Sequence, residues 1–203
     1  MLAAVILSAG ASRRMGSPKA LASYQGRPFL EHLLSVMTHP AIGVRRVVLG
    51  SDAEMIKNKV ALAPEEIVIN HDWEKGQLSS VHAALRSLPP DTDGMLLCPV
   101  DHPLVSASLV SALIETFAAS HAPVVVPTYR DHRGHPVIFS ATIFDELLNA
   151  PMDQGARAVV WAQQGRVCEV PTDEEGCVLN LNDPKALEKL RERQVGSQGD
   201  SAK

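Results

Sequence analysis

Short apolar runs alternate along this chain with stretches of helical period, and that alternation most narrows what it can fold into. Ala3 to Leu7 is a brief apolar run ending at a turn signal, the mark of a buried strand. Phe29, Leu33, Leu34 and Met37 then recur at helical spacing. Val44 to Leu49 predicts a second strand stopped by Gly50, and Asp52 is placed to cap a helix running towards Ala63. Ile67 to Ile69 predicts a third strand, and Leu78, Val81, Ala84, Leu85 and Leu88 mark a helix closed by Pro89 and Pro90. Met95 to Val100 reads as a strand ending at Asp101, with Ser106 opening the next helix. Val124–Val126 and Val137–Phe139 are two more strands, separated by the polar segment YRDHRGH. Helices at Ile143–Leu148 and Gly155–Ala162, a strand at Val167–Val170 and a last helix from Pro184 to about Glu192 complete the series. Such an order predicts a single-domain α/β chain, a mostly parallel, doubly wound sheet with helices on both faces. The domain is expected over residues 1–192, with 193–203 a disordered tail.

Composition removes several function classes. With 203 residues, 45% apolar and 21% charged, the chain can bury one substantial core. Its net charge of −4 and the lack of any Lys/Arg-rich block argue against a nucleic-acid partner. Cys98, Cys168 and Cys177 are odd in number and show no C-x-x-C spacing, so reduced thiols in a cytoplasmic protein are expected. The apolar N-terminus has no basic region before it and meets a Gly- and Arg-containing stretch at once, unlike a signal peptide. No apolar run approaches the roughly 20 residues that cross a bilayer, so no membrane association is expected.

Open α/β sheets bind ligands beyond the carboxyl ends of their strands, which directs attention to the loops found there. The first, Ser8-Ala9-Gly10-Ala11-Ser12-Arg13-Arg14-Met15-Gly16-Ser17-Pro18-Lys19, has glycines where backbone must turn and approach an anion closely. Successive main-chain N–H groups there can form a concave anion site, and Arg14 and Lys19 add a planar fork and a compact ammonium. The spacing is neither G-x-G-x-x-G nor G-x-x-x-x-G-K-[ST]. A glycine turn with solvated arginines is the plainer alternative.

Leu7 to Lys19, L-S-A-G-A-S-R-R-M-G-S-P-K, resembles the signature loop of the MobA-like nucleotidyltransferases, roughly L-x-x-G-x-S-x-R-M-G-x-x-K. That family includes enzymes attaching CMP or GMP to molybdopterin and belongs with the sugar-nucleotide pyrophosphorylases. The resemblance therefore implies the three-layer α/β/α, nucleotide-diphospho-sugar transferase-like fold and an Mg²⁺-dependent nucleotidyltransferase. It implies that Leu7, Ser8, Ala9, Gly10, Ser12, Arg13 and Gly16 wrap the NTP phosphates, with Lys19 and Arg14 contacting them.

Further segments extend the likeness in family order. Asn70-His71-Asp72-Trp73-Glu74-Lys75-Gly76-Gln77-Leu78-Ser79-Ser80 can offer free N–H groups at a helix start. It is similar to the N-x-x-W-x-x-G-x-x-x-S segment of the cytidylyltransferase branch, which implies that Asn70, Gly76, Ser79 and Ser80 lie against the nucleotide. A capped helix with Trp73 as a packing staple is the alternative. Asp101, at a strand end between Pro99 and Pro103, can reach a cation, and Mg²⁺ is usually held by one or two carboxylates with phosphates and water. It matches the family's x-x-D-x-P metal ligand; His102 beside it is read as a structural neighbour.

Asn180 and Asn182 share one side of an extended segment if alternation holds. Their amide oxygens are acceptable Mg²⁺ ligands, as the family's closing N-x-N-x-P element implies. Asp183 as a helix cap with no metal is equally open. Gly134-His135-Pro136 and Gly155-Ala156-Arg157 resemble family elements near the acceptor, which implies acceptor contacts for His135 and Arg157. The pair His132 and His135 lacks a third ligand for zinc. Ser8-Ala9-Gly10 and Gln77 to Ser80 lean towards CTP and Asn180-Leu181-Asn182 towards GTP, so the base stays open. Molybdopterin is the expected acceptor. A sugar- or polyol-phosphate acceptor, and a non-catalytic nucleotide-binding accessory protein that partners a molybdoenzyme, are the alternatives.

Overall fold

The structure is a computed structural model that describes residues 1–12, 15–188 and 190. β1 (Leu2–Ser8) is buried along its whole length, because it lies at the middle of the sheet with helices on both sides. A small hairpin, β2 (Ser23–Tyr24) and β3 (Arg27–Pro28), leads into α1 (Phe29–Val36). Then come β4 (Ile42–Leu49), α2 (Ala53–Lys57), β5 (Ile67–Ile69), α3 (Gln77–Arg86) and β6 (Gly94–Pro99). α4 (Ala107–Ser120) precedes β7 (Val124–Tyr129), β8 (His132–Arg133) and β9 (Val137–Ser140). α5 (Phe144–Leu148), α6 (Ala156–Ala162) and β10 (Val167–Pro171) follow, and residues 184–188 are again helical.

The main sheet has the order β10-β7-β9-β6-β1-β4-β5, with β8 paired to β7. β6, β1, β4 and β5 are parallel neighbours, and β10 is parallel to β7. β9 reverses, lying antiparallel between β6 and β7, and the short β8 is antiparallel to β7 as well. Side-chain alternation splits the core into two layers. Leu2, Ala4 and Ile6 face α1 and α4, together with Leu33 and Leu113, whereas Val5 and Leu7 face α3 and α5, with Val81 and Leu147. The result is the three-layer α/β/α arrangement expected from the alternation.

Several expectations change. α2 stops at Lys57, and one further turn (Val60 N to Ile56 O, 2.9 Å) replaces the helix expected to reach Ala63. Asp52 does not cap it through its side chain; its carboxylate instead accepts from Ser51 Oγ at 2.9 Å. The polar separator YRDHRGH contains a hairpin, since Arg130 and Asp131 take left-handed φ of 47° and 66° and let β8 fold back on β7. The tail 193–203 and the far end of the last helix lie outside the described residues.

Candidate active site

Parallel pairing sets the loops after β1 and β6 at the same height: Leu7 is opposite Pro99, and Val100 N donates to Leu7 O at 3.0 Å. The first loop turns back on itself through Ser12, whose φ is 45°. Its carbonyl accepts from Met15 N at 2.8 Å, and its Oγ accepts from Lys19 N at 2.9 Å. Lys19 is thereby aimed across the sheet edge. Its Nζ donates to Asp101 Oδ2 at 3.0 Å and to Asn182 Oδ1. The Asp101 backbone is fixed as well, its carbonyl accepting from Leu181 N at 2.9 Å. Both side chains of the ion pair are largely withdrawn from water, 21% and 13% exposed, so screening is weaker than at an open surface.

The far wall of the site is built by Asn70. Its amide donates to Ser79 Oγ at 2.8 Å and Ser80 Oγ at 3.0 Å, while its Oδ1 accepts from Asp72 N at 2.9 Å. These bonds hold the turn Trp73–Lys75 and the start of α3. Gly76 between them has φ of 100°, a region costly for any residue with a Cβ. Gly50, after β4, is needed for a different reason: a Cβ there would overlap the Ala9 carbonyl oxygen and lie 2.9 Å from Trp73 Cβ. The two walls can therefore approach only over a glycine.

Between them lies a cavity of about 410 Å³. Leu7, Ser8, Ala9, Gly10, Ser12 and Lys19 line one side, Gly76 and Ser80 another, and Asp101 and Asn182 the floor. Trp73 and Gln77 also line it; neither was singled out as a site residue, although both stand in the segment that was. The signal for Trp73 was ambiguous, because a packing staple and a ligand wall look alike in sequence.

Other expected residues stand away from the cavity lining. Gly16 closes the loop's turn at φ 69°. Asn70 and Ser79 are buried, with their side chains engaged in the bonds above and in Ser79 Oγ to Gly76 O at 2.7 Å. Arg157 is exposed on α6, its guanidinium 5.8 Å from the Trp161 ring centroid. Asn180 is exposed and does not share the cavity face of Asn182. Residues 179–182 form no strand, so the period of two does not apply there; the chain enters them from a turn in which Val178 N and Leu179 N both bond Glu175 O. Arg13 and Arg14 lie outside the described residues.

His135 packs beneath the floor. Its ring is 4.7 Å from that of His102, which approaches Asp101 Oδ1 at 3.9 Å. Burial, then the neighbouring His102, holds the His135 imidazole down to about 4. Burial also lowers His102, with Asp101 opposing. In both rings burial thus disfavours the charged imidazole. Burial, reinforced by Asp101, raises the Cys98 thiol well above its usual range.

Residues 4–167 match the model of the MobA-like NTP transferase domain. The chain belongs to that family. Among relatives, "Nicotine blue oxidoreductase" of Paenarthrobacter nicotinovorans is 31% identical over 75% of this chain and 78% of its own length. A "Probable molybdenum cofactor guanylyltransferase" of Bacillus anthracis is 33% identical over 61% of this chain, and the match spans 60% of that relative's length. Among solved structures, Rv0371c of Mycobacterium tuberculosis superposes with a TM-score of 0.83 at 30% identity, covering 94% of this chain and 97% of that one. The same protein's manganese complex gives 0.79 at 28% identity, covering 94% and 98%. The match places this chain among nucleotidyltransferases of the nucleotide-diphospho-sugar transferase fold.

The MobA-like site can be tested for metal on its own donors. Among the described residues no group of three or more His, Cys, Asp or Glu side chains is arranged to hold an ion. What the cavity offers is one carboxylate and one amide oxygen, already converging on a single cation, the Lys19 ammonium. Hard oxygens in that number fit an ion that completes its shell with phosphates and water.

Proposed function

We propose that this MobA-like nucleotidyltransferase moves the NMP unit of CTP or GTP onto a small phosphorylated acceptor, molybdopterin first, with Mg²⁺. The observation that carries the reading is the meeting of Lys19, Asp101 and Asn182 at the mouth of the glycine loop. The guanylyltransferase name of one relative supports the acceptor. Chemically, an acceptor phosphate oxygen bonds to the α-phosphorus while the bond to the bridging oxygen of the β-phosphate breaks, and pyrophosphate leaves. Both reactants are anions, so alignment and preorganised positive charge supply most of the acceleration. Lys19 and the amides of Ala9 to Ser12 hold the departing phosphates, with Arg14 as the expected second charge. A bound Mg²⁺ adds Lewis-acid charge at the phosphates, and Asp101 and Asn182 are the residues that would hold it. His135 and Arg157 are the acceptor-side candidates. No helix among the described residues is long and apolar enough to cross a membrane. Cys98, Cys168 and Cys177 are free thiols, as a reducing cytoplasm would keep them.

Pyrophosphate release should be measured with Mg²⁺ and each of the four NTPs, with and without molybdopterin. Release with CTP or GTP that depends on molybdopterin is expected. Release with a sugar or polyol phosphate instead would move the acceptor to that class. NTP binding with no release from any acceptor would make the chain a nucleotide-binding accessory protein for a molybdoenzyme.

A second reading comes from the relative named an oxidoreductase, the match covering 75% of this chain. Hydride transfer to an oxidised aromatic acceptor would then use the cavity for a dinucleotide. The loop's spacing is not the dinucleotide fingerprint, and the cavity floor carries a Lys–Asp pair suited to phosphate and metal. NAD(P)H oxidation in the presence of a quinonoid dye would favour this second reading.

A further inference from the structure

Lys19 Nζ sits 3.0 Å from Asp101 Oδ2 and is bonded also to Asn182 Oδ1. The other carboxylate oxygen, Asp101 Oδ1, is shut off from solvent and has no hydrogen-bond partner. A cation entering from the cavity therefore meets oxygens that Lys19 already holds. Among the described residues lining the cavity, Lys19 and Asp101 are the charged ones, and they neutralise each other. A divalent ion added to that pair leaves an uncompensated double charge in a part-buried pocket, which is costly. A triphosphate brings several negative charges and a better partner for the ammonium, because its oxygens can bind Lys19 and the ion together.

We propose that Lys19 is a resident cation. In the nucleotide-free chain its ammonium occupies the oxygen pair of Asp101 and Asn182, and the divalent ion enters only as a triphosphate draws the lysine away. Metal and nucleotide are thereby bound as a unit, and free metal is kept off the empty site. The proposal rests on the reading of Asp101 and Asn182 as the metal pair.

The test is a Mn²⁺ titration of the full chain followed by electron paramagnetic resonance of the free ion. It is run without nucleotide and with the α,β-methylene analogues of GTP and CTP, which cannot release pyrophosphate. Wild type should bind Mn²⁺ weakly alone and more tightly with an analogue. Lys19→Met keeps the apolar stem of the side chain, one atom shorter, and removes its charge, and without nucleotide it should bind Mn²⁺ about tenfold more tightly, since no ion pair has to be broken. Lys19→Gln should shift in the same direction, which guards against a defect peculiar to one variant. Mn²⁺ binding to nucleotide-free Lys19→Met and Lys19→Gln no tighter than to wild type would overturn the resident-cation proposal. Adding Asp101→Asn to Lys19→Met should abolish the gain. If the gain persists, or if neither analogue tightens Mn²⁺ on wild type, the assignment of the metal pair itself is what fails.

Discussion

Lys19 reaches oxygens 82 and 163 residues further along the chain, so its replacement tests a tertiary arrangement and a chemical role together. Lys19→Ala should lower kcat by about 10²–10³, the scale of one preorganised charge-stabilising donor. Pyrophosphate release under saturating NTP is the measurement. Asp101→Ala should abolish Mg²⁺-dependent turnover, and an unchanged Mg²⁺ titration would contradict the role given to that carboxylate. The buried histidines make a separate prediction about pH. His135 titrates near 4 when folded and near its ordinary value of about 6.5 when unfolded. Between those values the unfolded chain holds a proton that the folded chain does not, so stability is complete above the upper value and declines as pH falls towards the lower. Thermal melts from pH 7 to pH 4 should show Tm falling across this window, and His135→Gln should flatten part of the fall.

Elements succeed or fail as predictions according to how local their causes are. β1 and β6 were legible because strands buried on both faces must be apolar throughout, and Leu2–Ser8 and Gly94–Pro99 are buried residue by residue. α4 was legible from Ser106, whose Oγ accepts from Leu109 N at 3.0 Å. The same Oγ donates to Glu174 Oε1 at 2.6 Å, tying the helix to the segment before the Cys177 turn. Ser106→Ala should therefore destabilise by about 1 kcal/mol for the lost cap alone, readable by urea denaturation. α2 was overextended at its far end, where Asn58 is the C-cap and a single further turn to Val60 closes the helix. The hairpin carrying β8 was missed because its turn uses Arg130 and Asp131 instead of the Asn-Gly pairs that advertise left-handed backbone. Gly50→Val should push the Ala9 loop away from Trp73, costing about 1–3 kcal/mol as overpacking does and raising KM for NTP.

At the scale of the whole molecule, the chain after β10 returns beneath the site and delivers Asn182 to Asp101. Leu181, fully buried, anchors that return, and its N–H bonds the Asp101 carbonyl. Leu181→Ala should lose about 2–5 kcal/mol of stability, and it should lower activity even where the fold survives, because the Asn182 amide loses its fixed position. The family match ends at residue 167, so this closing contact comes from chain beyond the matched segment.

The sequence by itself determined the alternating α/β order, the two apolar layers and the turning of the glycine loop, because each depends on periodicity or turn chemistry within a few residues. It also put Asp101 at the end of a strand, which is a local property of that strand. Only the tertiary structure decided that Lys19, Asp101 and Asn182 share one point, that Trp73 and Gln77 wall the cavity, and that Asn180 does not face it. Those facts follow from strand register and from the long-range bonds of Lys19 and Leu181 to Asp101. Register and long-range return are set by packing between distant segments, and no short window of residues carries that information.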